Sequence, residues 1–182
     1  MMMYNFRDTH PKRTYDRHHA DYHKYKEHLA KDFNNKCGYT HCSDFWFGGM
    51  RCFQIDHFKP FSKYPNKETE YSNLVYCCSY VNRAKWDDDN DNYLDPCDVD
   101  YNEHFCRDKF GVIVAKTLEA EYMVARMHLN MQRYALIWLL DNLENKINQL
   151  KNLKIQNQEV KELLSGLYET HFEYVQQLKS VR

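Results

Sequence analysis

The order of apolar and polar side chains divides the chain into stretches of different period. From about residue 117 to 180 the pattern is helical. Leu136, Leu140, Leu143, Ile147 and Leu150 step by 4, 3, 4 and 3, and Val160, Leu164, Leu167, His171, Tyr174 and Leu178 step in nearly the same way. This region has no proline, and Gly166 is its one glycine. The spacing predicts two long antiparallel helices, joined near Lys154 to Gln158, that bury their stripes against each other. Ahead of them, Phe110 to Ala115 reads as the second half of a hairpin turning at Asp108 to Gly111. Residues 73–86 run from apolar to polar, as a short strand or turn feeding a helix. Between Arg51 and Asp56, Cys52 and Gln54 alternate with Phe53 and Ile55, the period of a short strand. Gly48 and Gly49 predict a turn before it, and Pro60 and Pro65 confine the residues after it to a loop or a sheet edge. Beyond Pro11, Tyr15, His18 or His19, Tyr22, Tyr25 or Lys26 and Leu29 recur at helical spacing, predicting a helix.

These elements predict an α+β protein in three parts: a basic N-terminal arm over 1–35, a mixed core over 36–115 and a helical hairpin over 116–182. The chain has 182 residues, 43% hydrophobic and 15% aromatic, enough for one globular domain with an appendage. Five glycines and four prolines exclude a low-complexity chain. No run is long and apolar enough to span a bilayer, and the first residues lack the apolar core of a leader. The expectation is therefore a cytoplasmic protein with no membrane partner. Seven cysteines, with Cys77 and Cys78 adjacent, point to thiols or a metal site rather than a disulfide framework.

The net charge of −1 hides a segregation. Residues 1–67 carry twelve Lys and Arg against seven Asp and Glu, whereas residues 86–108 hold one Arg against nine acids. The basic third can supply a local phosphate-facing patch, although the whole-chain charge gives no support for tight nucleic-acid binding. Asp87 to Asp91 lacks the glycine and terminal glutamate of a calcium loop. It is expected to be a solvated loop that faces away from a nucleic acid or gates it. The histidines at 10, 18, 19, 23 and 28 are expected to be solvated helix positions. His104 is expected to be structural, and Arg107 and Asp108 to organise the hairpin.

The chemistry is concentrated in Gln54-Ile-Asp56-His57, then Ser72-Asn73-Leu-Val-Tyr, then Val81-Asn82-Arg83-Ala-Lys85. Phosphodiester hydrolysis requires a deprotonated water, neutralised charge on the phosphate and a stabilised leaving oxygen. A hard divalent cation held by oxygen donors meets the last two needs, and histidine meets the first near neutral pH. Asp56 and His57 are adjacent, so on a strand they point to opposite faces. They meet at one site only if the strand ends there, which Pro60 and its loop permit. Asn82 can offer an amide oxygen to the same cation, leaving it open to phosphate.

These residues resemble the HNH endonuclease family and its ββα-metal motif. Asp56-His57 matches the end of the family's first strand, Asn73 the middle position and Asn82 the third, nine residues on. Asparagine at the third position also occurs in the HNH domain of the CRISPR effector nuclease. The resemblance implies His57 as general base and Asp56 and Asn82 as ligands of Mg2+ or Mn2+. It implies that Asn73 fixes the loop and the orientation of His57, and that Arg83, Lys85 and Lys59 bind substrate. DNA is the implied substrate, with RNA as the alternative.

Residues 93–113 and the helix containing LNMQRYALIWLL are similar to the nuclease subunits of Septu-type and some retron anti-phage systems, implying a role in defence. The alternative is a subunit or scaffold of an ATPase or reverse-transcriptase complex, inert alone. The C-terminal helices would then serve a protein partner or a second copy. Many family members hold a structural zinc with two Cys-x-x-Cys pairs, but here the first is stretched to Cys37 and Cys42 and the second reads Cys78 to Val81. Cys37, His41 or Cys42, Cys78 and Cys97 remain candidates for zinc. The expectation is a core held without it by Phe45, Trp46, Phe47, Phe53, Tyr76 and Trp86.

Overall fold

A computed structural model describes residues 2–153 and 157–181. Its elements are β1 (Tyr4–Asn5), α1 (Lys26–Asp32), β2 (Phe53–His57), β3 (Leu74–Cys78), α2 (Ser79–Lys85), α3 (Tyr101–His104), β4 (Phe105–Arg107), β5 (Ile113–Ala115), α4 (Leu118–Met127), α5 (Gln132–Lys151) and α6 (Gln158–Ser180). The class is α+β, with short 3-10 turns between the longer elements.

β2 and β3 form an antiparallel hairpin, in register from Phe53 opposite Cys78 to His57 opposite Leu74. β3 reads Leu-Val-Tyr-Cys-Cys, and all five residues are buried, because α1 and α2 both pack on it. α2 follows without a loop and sends Val81 into the core. The loop before β2 lies tight on the hairpin, where the Gly38 amide donates to the Tyr76 carbonyl at 2.8 Å. A Cβ at Gly38 would stand 2.7 Å from the Phe33 ring and 2.8 Å from Val75, so only glycine fits there.

β1, β4 and β5 form a second antiparallel sheet. Its hairpin turn uses Gly111 at φ +82°, pressed so close to α5 that an added Cβ would lie 2.7 Å from the Ala135 carbonyl. The buried Arg107 guanidinium donates to Gly111 O at 2.7 Å and to Thr40 O at 2.6 Å, tying this sheet to the loop beside the first. It organises the hairpin, and His104 contacts Thr117 Oγ1 at 3.1 Å.

The first 35 residues are not an arm. Phe6, Tyr25, Leu29 and Phe33 are buried in the common core, and β1 pairs with β4. The helix expected beyond Pro11 is confined to Lys26–Asp32, after a 3-10 turn at Tyr22–Tyr25. The aromatic spacing there reflects packing, not helical pitch. Arg13 donates to Leu74 O and pairs with Asp95, and Thr14 donates its amide and hydroxyl to Asp32. These long-range bonds replace the local ladder. His10 lies 2.8 Å from the Cys97 carbonyl and His28 stacks on Tyr15 at 3.8 Å, so neither is a freely solvated helix position.

The helical region begins with α4, capped by the Thr117 hydroxyl and closed by His128 in the left-handed region. The first turns of α5 direct Tyr134, Ile137 and Leu140 into the core, so this helix is shared between the core and α6. Leu136, Leu140 and Ile147 of the expected stripe are buried, and Leu143 and Leu150 are half-buried. α6 packs along α5, yet none of its 23 residues is buried, and Leu163, Tyr168 and Phe172 are exposed. The expected joint near Lys154 to Gln158 falls on 154–156, outside the described residues. Among the described residues no helix is long and apolar enough to cross a membrane.

The expected aromatic core needs correction. Phe53 and Tyr76 are buried and Trp46 and Phe47 partly so, but Phe45 and Trp86 are 71% and 72% exposed. Tyr134, from the distant α5, takes the interior place: its hydroxyl lies 3.9 Å from Cys78 Sγ and its carbonyl 3.8 Å from Cys42 Sγ.

Candidate active site

His57 is the last residue of β2, and there the strand ends. Its imidazole is 7% exposed, with the ring centroids of Tyr22 at 4.7 Å and Phe61 at 5.0 Å, both edge-on. Nε2 lies 2.9 Å from the Glu68 carbonyl. A carbonyl cannot donate, so Nε2 carries the hydrogen and the lone pair sits on Nδ1. Burial pushes the His57 pKa below 6.5, with the Glu68 carbonyl and the Asp56 charge opposing that shift. The ring is therefore neutral at pH 7 and able to accept a proton.

Asn73, just before β3, holds the loop that follows His57. Its Oδ1 accepts from the Lys59 amide at 2.8 Å, and its Nδ2 donates to Lys59 O at 2.9 Å and Lys67 O at 3.2 Å. The Phe58 amide donates to the Asn73 carbonyl at 2.8 Å. One buried asparagine thus fixes both ends of the segment carrying Pro60 and Phe61.

On the other face of β2, Gln54 and Asp56 share a side by strand alternation, and α2 lies across them. Asn82 Nδ2 donates to Gln54 Oε1 at 2.8 Å, which orients the amide and leaves Oδ1 unengaged. Three residues on, along the same helical face, Lys85 is fully buried. Its ammonium donates to Asp56 Oδ1 at 3.1 Å and His57 O at 2.9 Å. The Tyr39 hydroxyl donates to Asp56 Oδ2 at 2.6 Å. Burial raises the Asp56 pKa, and the Lys85 charge and the Tyr39 hydrogen bond pull it back. Each carboxylate oxygen retains a further lone pair.

Asp56, His57, Asn82 and Arg83 line one cleft of about 510 Å3, walled by Tyr22, Phe61 and Trp86. Arg83 is exposed, with its guanidinium 5.4 Å from the Tyr80 ring centroid. Among the described residues no carboxylate pairs with it. Two separate stretches, Asp56-His57 and Asn82-Arg83, therefore meet at one cleft, Asn73 braces its loop from outside it, and two of the expected substrate contacts do not join them. Lys85 lies behind Asp56 as its counter-ion, not on the surface, because burying that carboxylate demands a paired cation. Lys59 does not line the cleft; its ammonium sits 5.9 Å from the Tyr64 ring centroid.

The acidic loop also departs from expectation. Asp88 accepts from Tyr122, Tyr93 and Arg126, and Asp89 pairs with Lys63 at 2.8 Å, so both are neutralised structural groups. Asp87 lines the cleft, which excludes facing away and leaves the gating alternative open.

Cys37, Cys42 and Cys78 are buried around Tyr134, but among the described residues no group of three or more His, Cys, Asp or Glu is arranged to hold a metal ion. His41 contacts Asp8 at 2.7 Å and Lys36 at 3.1 Å instead, and burial with the Lys36 charge pushes its pKa down to about 4. Cys97 sits beside Arg13 and Asp95.

Sequence reasoning missed Tyr39, Tyr22, Phe61 and Trp86. Gln54 alone carried a local signal, two residues before Asp56 on the same strand face. Comparison with known proteins finds no match to any family model, curated protein or solved structure.

The His57 environment fixes a pH dependence. With neutral imidazole as the base, the rate would rise with pH through a midpoint below 6.5. The same shift works on stability: the fold loses this contribution as pH falls from 6.5 toward the native value, because the unfolded ring protonates first. Single-turnover rates between about pH 5 and 8 should place the acid limb below 6.5. A limb centred higher would show that another group titrates.

Proposed function

We propose that this chain is a metal-dependent HNH-type endonuclease that hydrolyses phosphodiester bonds, with DNA as its first substrate and phage defence as its setting. The observation that carries the reading is that Asp56, His57 and Asn82 line one cleft, with the His57 lone pair on Nδ1 and the Asn82 amide oriented by Gln54. The order and spacing of Asp56-His57, Asn73 and Asn82, which resemble that family, support it further.

The donors fit a hard cation as an open site completed by water and substrate: one carboxylate, already sharing its charge with Lys85, and one neutral amide. When bound there, Mg2+ or Mn2+ would neutralise the phosphate and the departing oxygen. The remaining work falls to side chains. His57 Nδ1 takes a proton from the attacking water, while its Nε2–H, held by Glu68 O, keeps the ring turned. Arg83 offers its guanidinium to the phosphate. Lys85 keeps Asp56 ionised and in place.

Plasmid cleavage with Mg2+ tests this reading. The chain should convert supercoiled DNA, EDTA should abolish conversion, and Asn82→Ala should raise the Mg2+ concentration required by at least about tenfold. Absence of cleavage of both plasmid and single-stranded circular DNA with Mg2+ or Mn2+, with and without a co-purified partner, overturns it. One observation favours a partner-dependent form: α6 buries none of its side chains and exposes Leu163 and Phe172. Cleavage restored only by a co-expressed ATPase or reverse-transcriptase partner would select that form.

A further inference from the structure

Trp86 terminates α2 at φ 55° and ψ −128°, a backbone region that suits glycine and that bulky side chains avoid. Yet its indole is 72% exposed, so little burial within the chain offsets that strain. The helix end is held by Arg126, which donates to the carbonyls of Ala84 and Lys85 and to Asp88. The result is a large aromatic ring held at the rim of the cleft. Phe61, 48% exposed, stands in the same wall system, with its ring 5.0 Å from His57.

The charges around these rings restrict the ligand. One helical turn before Trp86, Arg83 supplies the unpaired cation of the cleft, and Asp87 supplies a carboxylate immediately after it. One cation beside one carboxylate suits a single phosphodiester strand. It does not suit a duplex, which brings two charged backbones and hides its base faces. The cleft volume of about 510 Å3 also lies within the range for small ligands, the scale of a nucleotide or two.

We propose that this cleft takes an unpaired nucleotide strand, with bases stacked on Trp86 and Phe61 and the intervening phosphate between Arg83 and His57. The inference rests on the phosphodiesterase reading and adds the form of its substrate. Base-on-aromatic stacking tolerates any sequence.

The test is equilibrium binding in EDTA, followed by fluorescence anisotropy, of labelled oligo(dT), oligo(rU) and a matched DNA duplex. Either single strand should bind at least about tenfold more tightly than the duplex, and whichever homopolymer binds better identifies the sugar. Trp86→Ala should weaken that binding by about tenfold or more, and Trp86→Phe should restore most of it. Trp86→Gly should lose binding while Tm stays level or rises, since glycine adopts this φ and ψ freely. Equal or tighter duplex binding overturns the inference, as do parental affinity in Trp86→Ala and a steep fall in Tm for Trp86→Gly. Loss of this inference is distinguishable from loss of the nuclease reading. Mg2+-dependent cleavage that requires His57 but shows no strand preference removes only the former. Trp86-dependent strand binding without any cleavage removes the latter.

Discussion

Replacing His57 with alanine is expected to lower the single-turnover cleavage rate by about 10²- to 10⁴-fold at saturating Mg2+, the usual contribution of a positioned general base. The imidazole touches the cleft on one side and meets Tyr22, Phe61 and the Glu68 carbonyl on the other. Its removal leaves the Lys85 and Asn73 networks intact but opens space between the two rings and takes the donor from the Glu68 carbonyl. Tm should therefore fall, and the rate is read well below the variant's transition. Strand binding should fall far less than the rate, because Trp86 and Arg83 remain while the Phe61 ring loses its neighbour. A rate within threefold of the parent, measured on the same labelled oligonucleotide, would remove His57 from the chemistry.

A second large effect is thermodynamic. Asp56→Asn is expected to cost about 3–5 kcal/mol of stability, because it leaves the fully buried Lys85 ammonium without its counter-charge. Urea unfolding should show the midpoint falling with little change in slope. The double variant Asp56→Asn with Lys85→Met should recover much of the loss, since the two residues form one coupled unit. An unchanged midpoint for Asp56→Asn would mean that water or local movement accommodates the lysine. This has a practical bearing on mechanism. Substitution of Asp56, the carboxylate among the proposed ligands, destabilises the site it is meant to probe. Asn82→Ala, half-exposed and with its side chain bonded to Gln54 alone among the described residues, is therefore the cleaner test.

Much of the site is local in sequence and was therefore legible. The strand at 53–57, the strand-to-helix passage through Cys78 and Ser79, and the hairpin turning at Gly111 all follow from short-range period and turn chemistry. The grouping of Asp56-His57 with Asn73 and Asn82 is what the resemblance to the HNH motif implies. What escaped depends on long-range packing. Tyr39 reaches Asp56 from a loop 17 residues away, and Tyr134 fills the space beside Cys78 from 56 residues away. No periodicity announces either. Lys85 had the type and spacing of a phosphate contact, but its burial is decided by Asp56 on another element. The N-terminal segment misled for a related reason: its aromatic repeat serves contacts with Tyr71 and the α1 residues, so a regular spacing arose without a regular helix. Trp86 was expected inside as one of the aromatics clustered around the motif. Its backbone angles and the Arg126 clamp turn it outward.

The α5–α6 pair has an architectural consequence. A helix with no fully buried side chain meets the core through half-buried residues such as Leu178. Changes along its outer surface, away from that contact, should therefore disturb the β2–β3 hairpin little. Leu163, Tyr168 and Phe172 are thus free to drift, gain charge or acquire new specificity while His57 and Asn82 stay in register. Such an arrangement lets the outer surface of one peripheral rod change while the cleft keeps its shape.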